Sequence, residues 1–505
     1  MPDLQEIITT LKPYMTESVC LKTILSSASI KEFKNLSRDS RNCGFDTVFT
    51  AVKGVNADGH NFISAVLERG CRLVIYDSAL PDNNNIHESV FIKVRNSGEA
   101  YAVLAELFCG IPGEKLKLLA VTGTNGKTTT AFILRHIIEF HGYSTGLIST
   151  VEYSCAKFHF DAERTTPDAL VFQRLLKSFT DNDCTHIVME VSSHALDQYR
   201  IGCTKYDVAL FTNLTGDHLD YHKTMSEYFR TKSKLFKEHL KEGGIAVINI
   251  DDSYGEELFS VLEKAESYGF SENSTFKISE EIRYNISESS IRVDFSIKHK
   301  SEKFDISIPL LGKYNIYNAV ASFAAAYMLN IPSDEIINAL KVIPQVPGRL
   351  EQIKTTNGAL VFVDYAHTDD ALYKVLSELS DISRKRNGRL ICLFGCGGDR
   401  DKSKRPRMGK AASLFSDSII LTSDNPRTEI PETIIDDIMQ GIPSDFRDIT
   451  VLPDREKAIE TGISEAGPKD ILLVAGKGHE TYQEINGEKH PFDDRRVIRK
   501  ILSII

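Results

Sequence analysis

A glycine-rich segment between an apolar run and a helix-like run is the clearest indication of chemistry in the sequence. The apolar run is KLKLLAVTG, the helix-like run is TTAFILRHIIEF, and the segment reads Gly123-Thr124-Asn125-Gly126-Lys127-Thr128-Thr129. This context turns backbone N–H groups and a helix N-terminus toward phosphate, with Lys127 on the outer phosphates and the Thr128 hydroxyl near Mg²⁺. The loop is a variant, because two residues rather than four separate its glycines and Val121 stands where the first glycine is usual. A chance glycine-rich turn is the alternative, but the strand, loop and helix together favour a phosphate site.

Polar residues follow two later apolar runs of the same region. Glu190 comes directly after HIVM, and Asp217 and His218 follow VALFT at a short distance. The C-terminal ends of parallel strands line the ligand crevice, so a carboxylate and an imidazole there suit a metal that bridges ATP phosphates. Taken singly, Glu190 could cap a helix and His218 could be a structural histidine.

The elements that must position these residues are apolar runs of strand length in two sets. The runs are 115–123, 185–193, 206–214 and 243–250 in the first set, and 358–367, 389–396, 418–425 and 470–476 in the second. Continuous Val, Ile and Leu are typical of strands buried on both faces of a parallel sheet. The two sets therefore predict two doubly wound α/β units. Residues 291–297 and 304–310 alternate apolar and polar side chains instead, which predicts an antiparallel hairpin.

Proline and glycine mark two boundaries between these regions, in IPGEKLK (111–117) and IPQVPGRLE (343–351). The prediction is an α/β chain of three domains. These are a smaller N-terminal α/β domain at 1–112, a central phosphate-loop domain with a parallel sheet at 113–345, and a Rossmann-like C-terminal domain at 346–505. The hairpin is expected to belong to the central domain.

Composition limits the classes of function. The chain has 505 residues and a formal net charge of −10, which argues against a nucleic-acid partner. Nine scattered cysteines without a C-x-x-C pair indicate reduced thiols rather than a disulfide scaffold or a zinc site. There is no secretory signal pattern and no apolar stretch of about 20 residues, so a cytoplasmic protein without membrane insertion is expected. We expect it to act as a monomer.

Further motifs occur in order along the chain. They are SRDSRNCGFDTVFTAVKGVNADGHNF (37–62), TTP (165–167), EVSSH (190–194), DHLDYH (217–222), GKYNIYNA (312–319), PGR (347–349), DYAH (364–367), GCGGDRDKSKRP (395–406) and GKGHE (476–480). Together with the GTNGKT loop, this set resembles the Mur ligase family, and the resemblance spans all three predicted domains.

The resemblance implies an ATP- and Mg²⁺-dependent ligase of peptidoglycan precursor synthesis that forms an amide bond through an acyl phosphate. The motifs are most similar to the branch that adds the third peptide residue, with UDP-N-acetylmuramoyl-L-alanyl-D-glutamate as acceptor. The added amino acid is meso-diaminopimelate or L-lysine, and the DNPR motif at 424–427 resembles the diaminopimelate-adding branch. The guanidinium of Arg427 suits the extra carboxylate of diaminopimelate, and lysine would leave that guanidinium unpaired. A solvated loop arginine is the alternative.

The resemblance also implies roles for single residues. Catalysis falls to Lys127, Glu190, His218 and Lys232. The metal would be held by Thr128, Glu190, His218 and Lys232, the last as a carbamylated lysine in its Y-x-x-x-K-x-K-L-F context. ATP contacts are implied for residues 123–129, Asn318, Arg349, Asp364 and His367. Acceptor contacts are implied for Ser40, Thr165, Thr166, Ser192, Gln198 and Arg200. Amino-acid contacts are implied for Arg400, Asp424, Asn425, Arg427, Gly476 and Glu480.

Some positions depart from the family pattern. Arg164 stands where asparagine commonly precedes TTP, which puts an acceptor contact there in doubt, and Asp369 replaces a proline after DYAH. The segment 43–46 lacks the usual P-G-D-like turn. Rival interpretations are an L-lysine-adding ligase, a folate polyglutamylating ligase of the same architecture, and a phosphate-loop regulatory protein without ligase activity.

Overall fold

The structure is a computed structural model that describes residues 1–16, 32–54, 57–80, 89–286 and 291–503. Residues 55–56 of the motif at 37–62 therefore lie outside the described residues. The chain forms two compact units, Met1–Lys277 with Val320–Ile336, and Ile278–Ala319 with Ile337–Ile505.

The N-terminal part of the first unit is a small parallel α/β sheet. Its strands lie in the order β1 (Asn35–Ser37), β2 (Thr47–Thr50), β3 (Leu73–Tyr76) and β4 (Val90–Lys93). Its helices are α1 (Leu4–Leu11), α2 (Ile63–Glu68) and α3 (Ser97–Cys109). Helix α1 buries its apolar residues on one face, and Asp3 and Glu6 form a capping box at its start. Short 3₁₀ turns cover Lys12–Tyr14, Ser40–Asn42, Gly59–Phe62 and Pro112–Lys115.

The rest of the first unit is built on a larger sheet that carries the phosphate loop. Its strands are β5 (Lys117–Thr122), β6 (Thr145–Ile148), β7 (Glu152–Cys155), β8 (Phe158–Asp161), β9 (His186–Glu190), β10 (Tyr206–Phe211), β11 (Leu240–Asn249), β12 (Ala265–Gly269) and β13 (Phe276–Ile278). They lie in the order β13-β12-β11-β10-β5-β9-β6-β7-β8, parallel except for the pairs β6–β7 and β7–β8. Strands β5, β9 and β10 are buried along nearly their whole length, as the apolar runs predict.

Helices connect these strands. They are α4 (Lys127–Phe140), α5 (Ala169–Asp181), α6 (Ser193–Asp197), α7 (Leu219–His222), α8 (Met225–Glu238) and α9 (Ser253–Ser260). Because β5, β9 and β10 are parallel neighbours, their C-terminal ends meet at one edge of the sheet. The loops after these strands carry the residues predicted to bind ATP and metal.

The second unit contains the predicted hairpin. Strands β14 (Arg283–Ile286), β15 (Ile291–His299) and β16 (Glu302–Ile308) are antiparallel, and Val293 pairs with Ile308. The alternating burial of β15 matches the predicted period of two. Helices α10 (Lys313–Met328) and α11 (Ser333–Lys341) each contain residues of both units.

The C-terminal part of the second unit is a Rossmann-like sheet. Its strands lie in the order β17 (Glu351–Lys354), β18 (Leu360–Asp364), β22 (Ile471–Ala475), β19 (Leu390–Phe394), β20 (Ser418–Leu421) and β21 (Ile449–Val451). Only the pair β17–β18 is antiparallel among these strands. The helices are α12 (Asp369–Arg386), α13 (Lys404–Phe415), α14 (Pro431–Met439), α15 (Arg455–Glu465) and α16 (Asp494–Ile501). A separate hairpin pairs β23 (Tyr482–Ile485) with β24 (Glu488–Pro491).

The predicted α/β class, with parallel sheets in the central and C-terminal regions, is confirmed. The domain boundaries at 112/113 and 345/346 stay predictions. In the described ranges, no helix is long and apolar enough to cross a membrane, and the cysteines are free thiols.

Candidate active site

The phosphate loop lies between β5 and α4 and is shaped by its glycines. Gly123 has φ +149°, and a Cβ atom there would lie 1.9 Å from Thr212 Oγ1. Gly126 has φ +86° and forms the N-terminal cap of α4, so the first N–H groups of that helix open toward the loop. Lys127 donates to the carbonyl oxygens of Gly123 (2.9 Å) and Thr124 (2.8 Å). The loop therefore has the backbone form that phosphate binding requires.

The segment after β10 fixes the position of this loop. The backbone N–H of Thr124 donates to the Asn213 carbonyl (2.8 Å), and that of Asn125 donates to Asn213 Oδ1 (3.0 Å). Thr212 Oγ1 donates to the Asn125 carbonyl at 2.6 Å. These bonds join the phosphate loop to the end of a neighbouring parallel strand and limit its freedom to move.

Lys232 is buried against the phosphate loop. Its side chain is 1% exposed, and Nζ donates to the Gly123 carbonyl (2.9 Å) and to Thr122 Oγ1 (3.3 Å). Nζ also lies 4.9 Å from the centre of the Tyr228 ring. Burial, and next the charge of Lys127, lower the pKa of Lys232 well below its ordinary value. The surface-lysine alternative is therefore excluded for this residue.

Glu190 ends β9, directly beside β5. Its side chain is fully buried, and its carboxylate accepts from the Thr150 N–H (2.7 Å) and the Thr150 hydroxyl (3.1 Å). Thr150 Oγ1 in turn lies 3.0 Å from Thr165 Oγ1. The carboxylate is thus held in one orientation, by a residue that also contacts the TTP segment. This is not the helix cap considered as an alternative, because the cap of α6 is Ser192.

His218 caps the short helix α7 in a left-handed conformation, with φ +57°. Its ring packs edge-on against His194, with centroids 5.0 Å apart, and its Nε2 lies 3.6 Å from Asp217 Oδ2. The centre of the His218 ring is also 6.1 Å from that of Tyr228. Lys232, which lies on the same helix as Tyr228, contacts that tyrosine ring as well. His218 and Lys232 therefore both border Tyr228.

The predicted metal ligands are only a partial set for a hard cation. Among the described residues, no group of three or more His, Cys, Asp and Glu side chains is placed to hold a metal ion. The predicted set contains one carboxylate and one imidazole, with a buried hydroxyl at Thr128 and a buried amine at Lys232. Such a set fits a metal that takes its other ligands from ATP phosphates and, if Lys232 carries a carbamate, from that carbamate.

Most of the predicted acceptor residues form one hydrogen-bonded cluster. Thr166 Oγ1 donates to the Glu190 carbonyl (2.9 Å) and accepts from the Ser192 N–H (3.0 Å). Arg200 donates through Nη1 to the Thr166 carbonyl (3.0 Å) and through Nη2 to Gln198 Oε1 (2.7 Å). Burial, and next the charge of Arg164, lower the pKa of Arg200. Thr165 joins this cluster through Thr150.

Ser40 lies apart from this cluster in the hydrogen bonding of the described residues. Its carbonyl accepts from Arg69 Nη1 at 3.3 Å. The neighbouring Arg38 reaches the residue that follows the TTP segment, because its Nη2 is 2.6 Å from the Asp168 carboxylate. A cavity of about 710 Å³ borders on Arg38, Arg164 and Asp168.

The predicted nucleotide residues of the second unit surround the end of β18. Asp364 is buried and accepts from the N–H groups of Leu350 (2.7 Å) and Ala366 (2.8 Å), and burial raises its pKa. The Arg349 guanidinium lies 4.8 Å from the centre of the Tyr365 ring. His367 Nδ1 lies 2.8 Å from the carbonyl oxygen of Tyr365. Three of the four residues therefore come together here.

The fourth predicted nucleotide residue, Asn318, lies on α10. Its Nδ2 donates to Asn315 Oδ1 at 2.9 Å, so the two asparagines of the GKYNIYNA motif fix each other. Both side chains are buried.

The predicted amino-acid residues of the second unit centre on Asn425 and Glu480. Asn425 Nδ2 donates to Glu480 Oε2 (2.8 Å), and Lys477 Nζ donates to Asn425 Oδ1 (3.1 Å) and Glu480 Oε2 (3.1 Å). Gly476 has φ +111°, and a Cβ atom there would lie 2.4 Å from Asp424 Oδ2. The side chain of Lys477 is fully buried.

Arg427 lies beside this centre. Its Nη1 donates to the Gly398 carbonyl (2.7 Å), and its Nε lies 3.2 Å from Glu484 Oε2. Its side chain is 19% exposed, so the alternative interpretation of Arg427 as a fully solvated loop residue is excluded. Arg400 is exposed, and a Cβ atom at Gly397 would lie 3.0 Å from Arg427 Nη1 and 3.9 Å from Arg400 Cγ. The two arginines therefore flank one glycine.

Sequence reasoning missed the roles of four residues. Thr150 holds the Glu190 carboxylate, and Tyr228 contacts Lys232. Lys477 holds Asn425 and Glu480, and Glu484 faces Arg427. The sequence contains an indication for two of them. Lys477 lies within the GKGHE motif, and Tyr228 is the first residue of the motif that contains Lys232.

A phosphate loop on a parallel sheet, with a second α/β sheet in the C-terminal region, defines a nucleotide-binding α/β protein. Two family models match the chain, the Mur ligase middle domain at residues 121–326 and the Mur ligase glutamate ligase domain at residues 348–478.

Relatives and a solved structure match over nearly the whole length. The UDP-N-acetylmuramoyl-L-alanyl-D-glutamate–2,6-diaminopimelate ligase of Clostridium tetani (strain Massachusetts / E88) is 40% identical over 474 residues, 93% of this chain and 95% of the relative. The enzyme of the same name from Aquifex aeolicus (strain VF5) is 41% identical over 473 residues, 94% of each chain. A solved structure of a ligase with this name is 30% identical, covers 100% of this chain and 99% of its own, and has a TM-score of 0.68. The chain belongs to the Mur ligase family, ATP-dependent ligases that form amide bonds. The family prediction is confirmed.

Proposed function

We propose that this protein is an ATP-dependent ligase that adds meso-diaminopimelate to UDP-N-acetylmuramoyl-L-alanyl-D-glutamate in peptidoglycan precursor synthesis. Two relatives with 40% and 41% identity carry a name that states this acceptor and 2,6-diaminopimelate. The structural observation that supports ligase chemistry most directly is Lys232, buried against the carbonyl of Gly123 in the phosphate loop.

The reaction consists of activation and attack. The D-glutamyl carboxylate takes the γ-phosphoryl group of ATP, which gives an acyl phosphate and ADP. The neutral amine of the amino acid then attacks the carbonyl carbon, its proton is lost, and phosphate leaves. Both steps gather negative charge on oxygen atoms, so fixed cations are the main catalytic need. Lys127 supplies such a cation, and its carbonyl contacts keep it at the mouth of the loop.

Thr128, Glu190, His218 and Lys232 would hold Mg²⁺, which neutralises phosphate charge when bound. Lys232 fits this role as a carbamate, because burial lowers its pKa and so favours the neutral amine. A neutral amine adds to CO₂, forming an N–C bond and releasing one proton, which leaves a carboxylate-like group. Thr150 would orient the Glu190 carboxylate toward the same site.

The acceptor would bind at the cluster of Thr165, Thr166, Ser192, Gln198 and Arg200. Arg200 is partly buried and cationic, and suits an anionic group of the acceptor. The adjoining cavity of about 710 Å³ lies within the usual size range of small-molecule sites. We propose that Ser40 contacts the nucleotide part, and that Arg349, Asp364, His367 and Asn318 contact ATP.

The amino acid would bind at Asn425, Arg427, Gly476 and Glu480, with Asp424 and Arg400 beside them. The carboxylate of Glu480 suits an ammonium group, and the guanidinium of Arg427 suits a carboxylate. Diaminopimelate carries both groups at its far end, whereas L-lysine carries only the ammonium. This pairing supports diaminopimelate over the lysine-adding and folate alternatives.

The test is phosphate release from ATP in the presence of the UDP-muramoyl dipeptide, with meso-diaminopimelate and L-lysine added separately. Stimulation by diaminopimelate alone is expected. Stimulation by L-lysine alone would keep the ligase and overturn the role of Arg427, and stimulation by neither would overturn the acceptor. The cytoplasmic location and the monomeric state stay predictions.

A further inference from the structure

One residue of the β23–β24 hairpin joins the DNPR motif to that hairpin through its backbone. The N–H of Glu484 donates to Asn425 Oδ1 (3.0 Å), and its carbonyl accepts from the N–H of Arg427 (3.0 Å). On the other side, the N–H of Asn486 donates to the Arg427 carbonyl at 2.7 Å. Arg427 thus pairs with the hairpin as a short parallel bridge, although its φ of +51° is unusual for a residue with a side chain.

The side chain of Glu484 adds an ion pair to these backbone contacts. Its Oε2 lies 3.2 Å from Arg427 Nε, and the two side chains are 26% and 19% exposed. The opposite side of the guanidinium is fixed by the bond from Nη1 to the Gly398 carbonyl (2.7 Å). A guanidinium is planar, so two contacts at different nitrogens fix both its position and its plane.

We propose that Glu484 is a positioning residue for amino-acid selection: it holds the Arg427 guanidinium so that the remaining Nη2 side faces the far carboxylate of the incoming amino acid. This inference rests on the proposed function, which makes that carboxylate the ligand of Arg427. An arginine side chain on a loop has several rotatable bonds. A guanidinium that is already held in its binding orientation loses less conformational entropy when it binds the carboxylate. Pre-orientation by Glu484 therefore increases the affinity for the amino acid and leaves the affinities for ATP and the acceptor unchanged.

The motifs of the family do not include this residue. Glu484 lies four residues beyond the GKGHE motif and 57 residues beyond Arg427 in the chain. Its side-chain contribution is separable from the pairing of the hairpin, because the bonds to Asn425 and Arg427 are made by the backbone N–H and carbonyl of Glu484 and do not involve its side chain.

The experiment compares the full-length variants Glu484→Ala and Glu484→Gln with the wild type. Glu488→Ala is the matched control, since it removes the same charge from an exposed position of the same hairpin. The Michaelis constants for meso-diaminopimelate, ATP and the acceptor are measured together with kcat and the thermal unfolding midpoint.

Glu484→Ala is expected to raise KM for meso-diaminopimelate by about tenfold with kcat within about twofold, because only ground-state orientation is lost. Glu484→Gln retains an oxygen acceptor facing Nε, so its KM is expected to rise by about threefold or less. The constants for ATP and the acceptor, and all constants of Glu488→Ala, are expected to stay at the wild-type values.

An unchanged or lower KM for diaminopimelate in Glu484→Ala would overturn the inference, as would an equal rise in Glu488→Ala. A folded Glu484→Ala variant that loses kcat instead would also overturn it. The proposed function is tested separately in the same assay by the response of the wild-type protein to diaminopimelate, and a wild-type protein that does not respond would overturn it whatever the variants do.

Discussion

Around the phosphate loop Lys127 and Lys232 donate to neutral oxygens, whereas in the predicted amino-acid pocket the cations face carboxylates. Lys127 contacts two loop carbonyls, and Lys232 contacts a carbonyl and a threonine hydroxyl. In the second unit, Lys477 pairs with Glu480 at 3.1 Å and Arg427 pairs with Glu484 at 3.2 Å.

The difference follows from what each region must do. A carbonyl holds a lysine in place without cancelling its charge, which agrees with the proposed contact of Lys127 with the charge that builds on phosphate oxygens. A carboxylate fixes the orientation of its cationic partner, which suits discrimination between similar substrates. Under the proposed function, the contacts around the phosphate loop suit rate enhancement, and those of the predicted pocket suit selection of the amino acid.

The largest expected effect is at Lys127. Lys127→Ala removes the cation proposed to contact the outer phosphates, and turnover is expected to fall by about a thousandfold, the upper end of the range seen when one transition-state charge partner is removed. The thermal unfolding midpoint is expected to stay close to that of the wild type, because the loop is also held by Thr212 and Asn213.

The control for this variant is Lys237→Ala, which removes an exposed lysine of α8. Normal phosphate release by Lys127→Ala would remove the basis for placing catalysis at this loop.

A second variant examines the pocket. Arg427→Ala is expected to raise KM for meso-diaminopimelate by about a hundredfold, because a forked, charge-assisted pair of hydrogen bonds to a carboxylate is lost. The affinity for ATP, measured by equilibrium binding, is expected to change by less than about twofold.

Arg447→Ala, an exposed arginine elsewhere in the same part of the chain, is the control. An unchanged KM for diaminopimelate in Arg427→Ala would show that this residue does not select the amino acid. An equally large loss of ATP affinity would show that its effect is not confined to the amino-acid pocket.

A smaller effect is expected at Thr150, which orients the Glu190 carboxylate. Thr150→Val removes the hydroxyl that donates to Glu190 at 3.1 Å and leaves the backbone bond of 2.7 Å. Loss of one hydrogen bond to a carboxylate is expected to lower kcat by about tenfold. Thr150→Ser keeps the hydroxyl and serves as the control. Equal rates for the Val and Ser variants would show that this hydrogen bond does not support catalysis.

The smallest expected effect is on stability and concerns Lys232. Burial, followed by repulsion from Lys127, lowers its pKa well below the ordinary value of 10.5. Between the lowered pKa and 10.5, the unfolded chain binds a proton that the folded protein does not, so the free energy of unfolding rises with pH. The slope from one such proton is at most about 1.4 kcal/mol per pH unit.

Lys232→Met keeps the length of the side chain without a titrating group, so this slope should disappear in denaturant titrations in CO₂-free buffer. Lys234→Met, on the same helix, should keep it. Identical pH profiles for Lys232→Met and the wild type would contradict the burial of an amine at this position.

Much of this arrangement could be predicted from the sequence, because it depends on local pattern. Runs of a few residues each predict the phosphate loop, the strand that ends at Glu190 and the hairpin at 291–308. Glu190 and Lys232 were recognised through motifs, and the structure adds that both are buried. Their roles in metal binding stay predictions.

The partners of these residues could not be predicted in the same way. Thr150 lies 40 residues from Glu190 in the chain, and Glu484 is similarly remote from Arg427, so only the fold brings each pair together. Thr150 lies in a turn without a motif of its own, and Glu484 lies on a short, partly exposed hairpin. Isolated polar residues in such positions have no period and no fixed spacing from the residues that they support.

The most direct test of the central claim is a competition. Wild-type protein receives ATP, Mg²⁺ and UDP-N-acetylmuramoyl-L-alanyl-D-glutamate with equal concentrations of meso-diaminopimelate and L-lysine, and the product is identified by mass spectrometry. The account predicts one product, with the mass of the acceptor plus diaminopimelate less one water. A product that contains lysine, or no product that contains either amino acid, would contradict it.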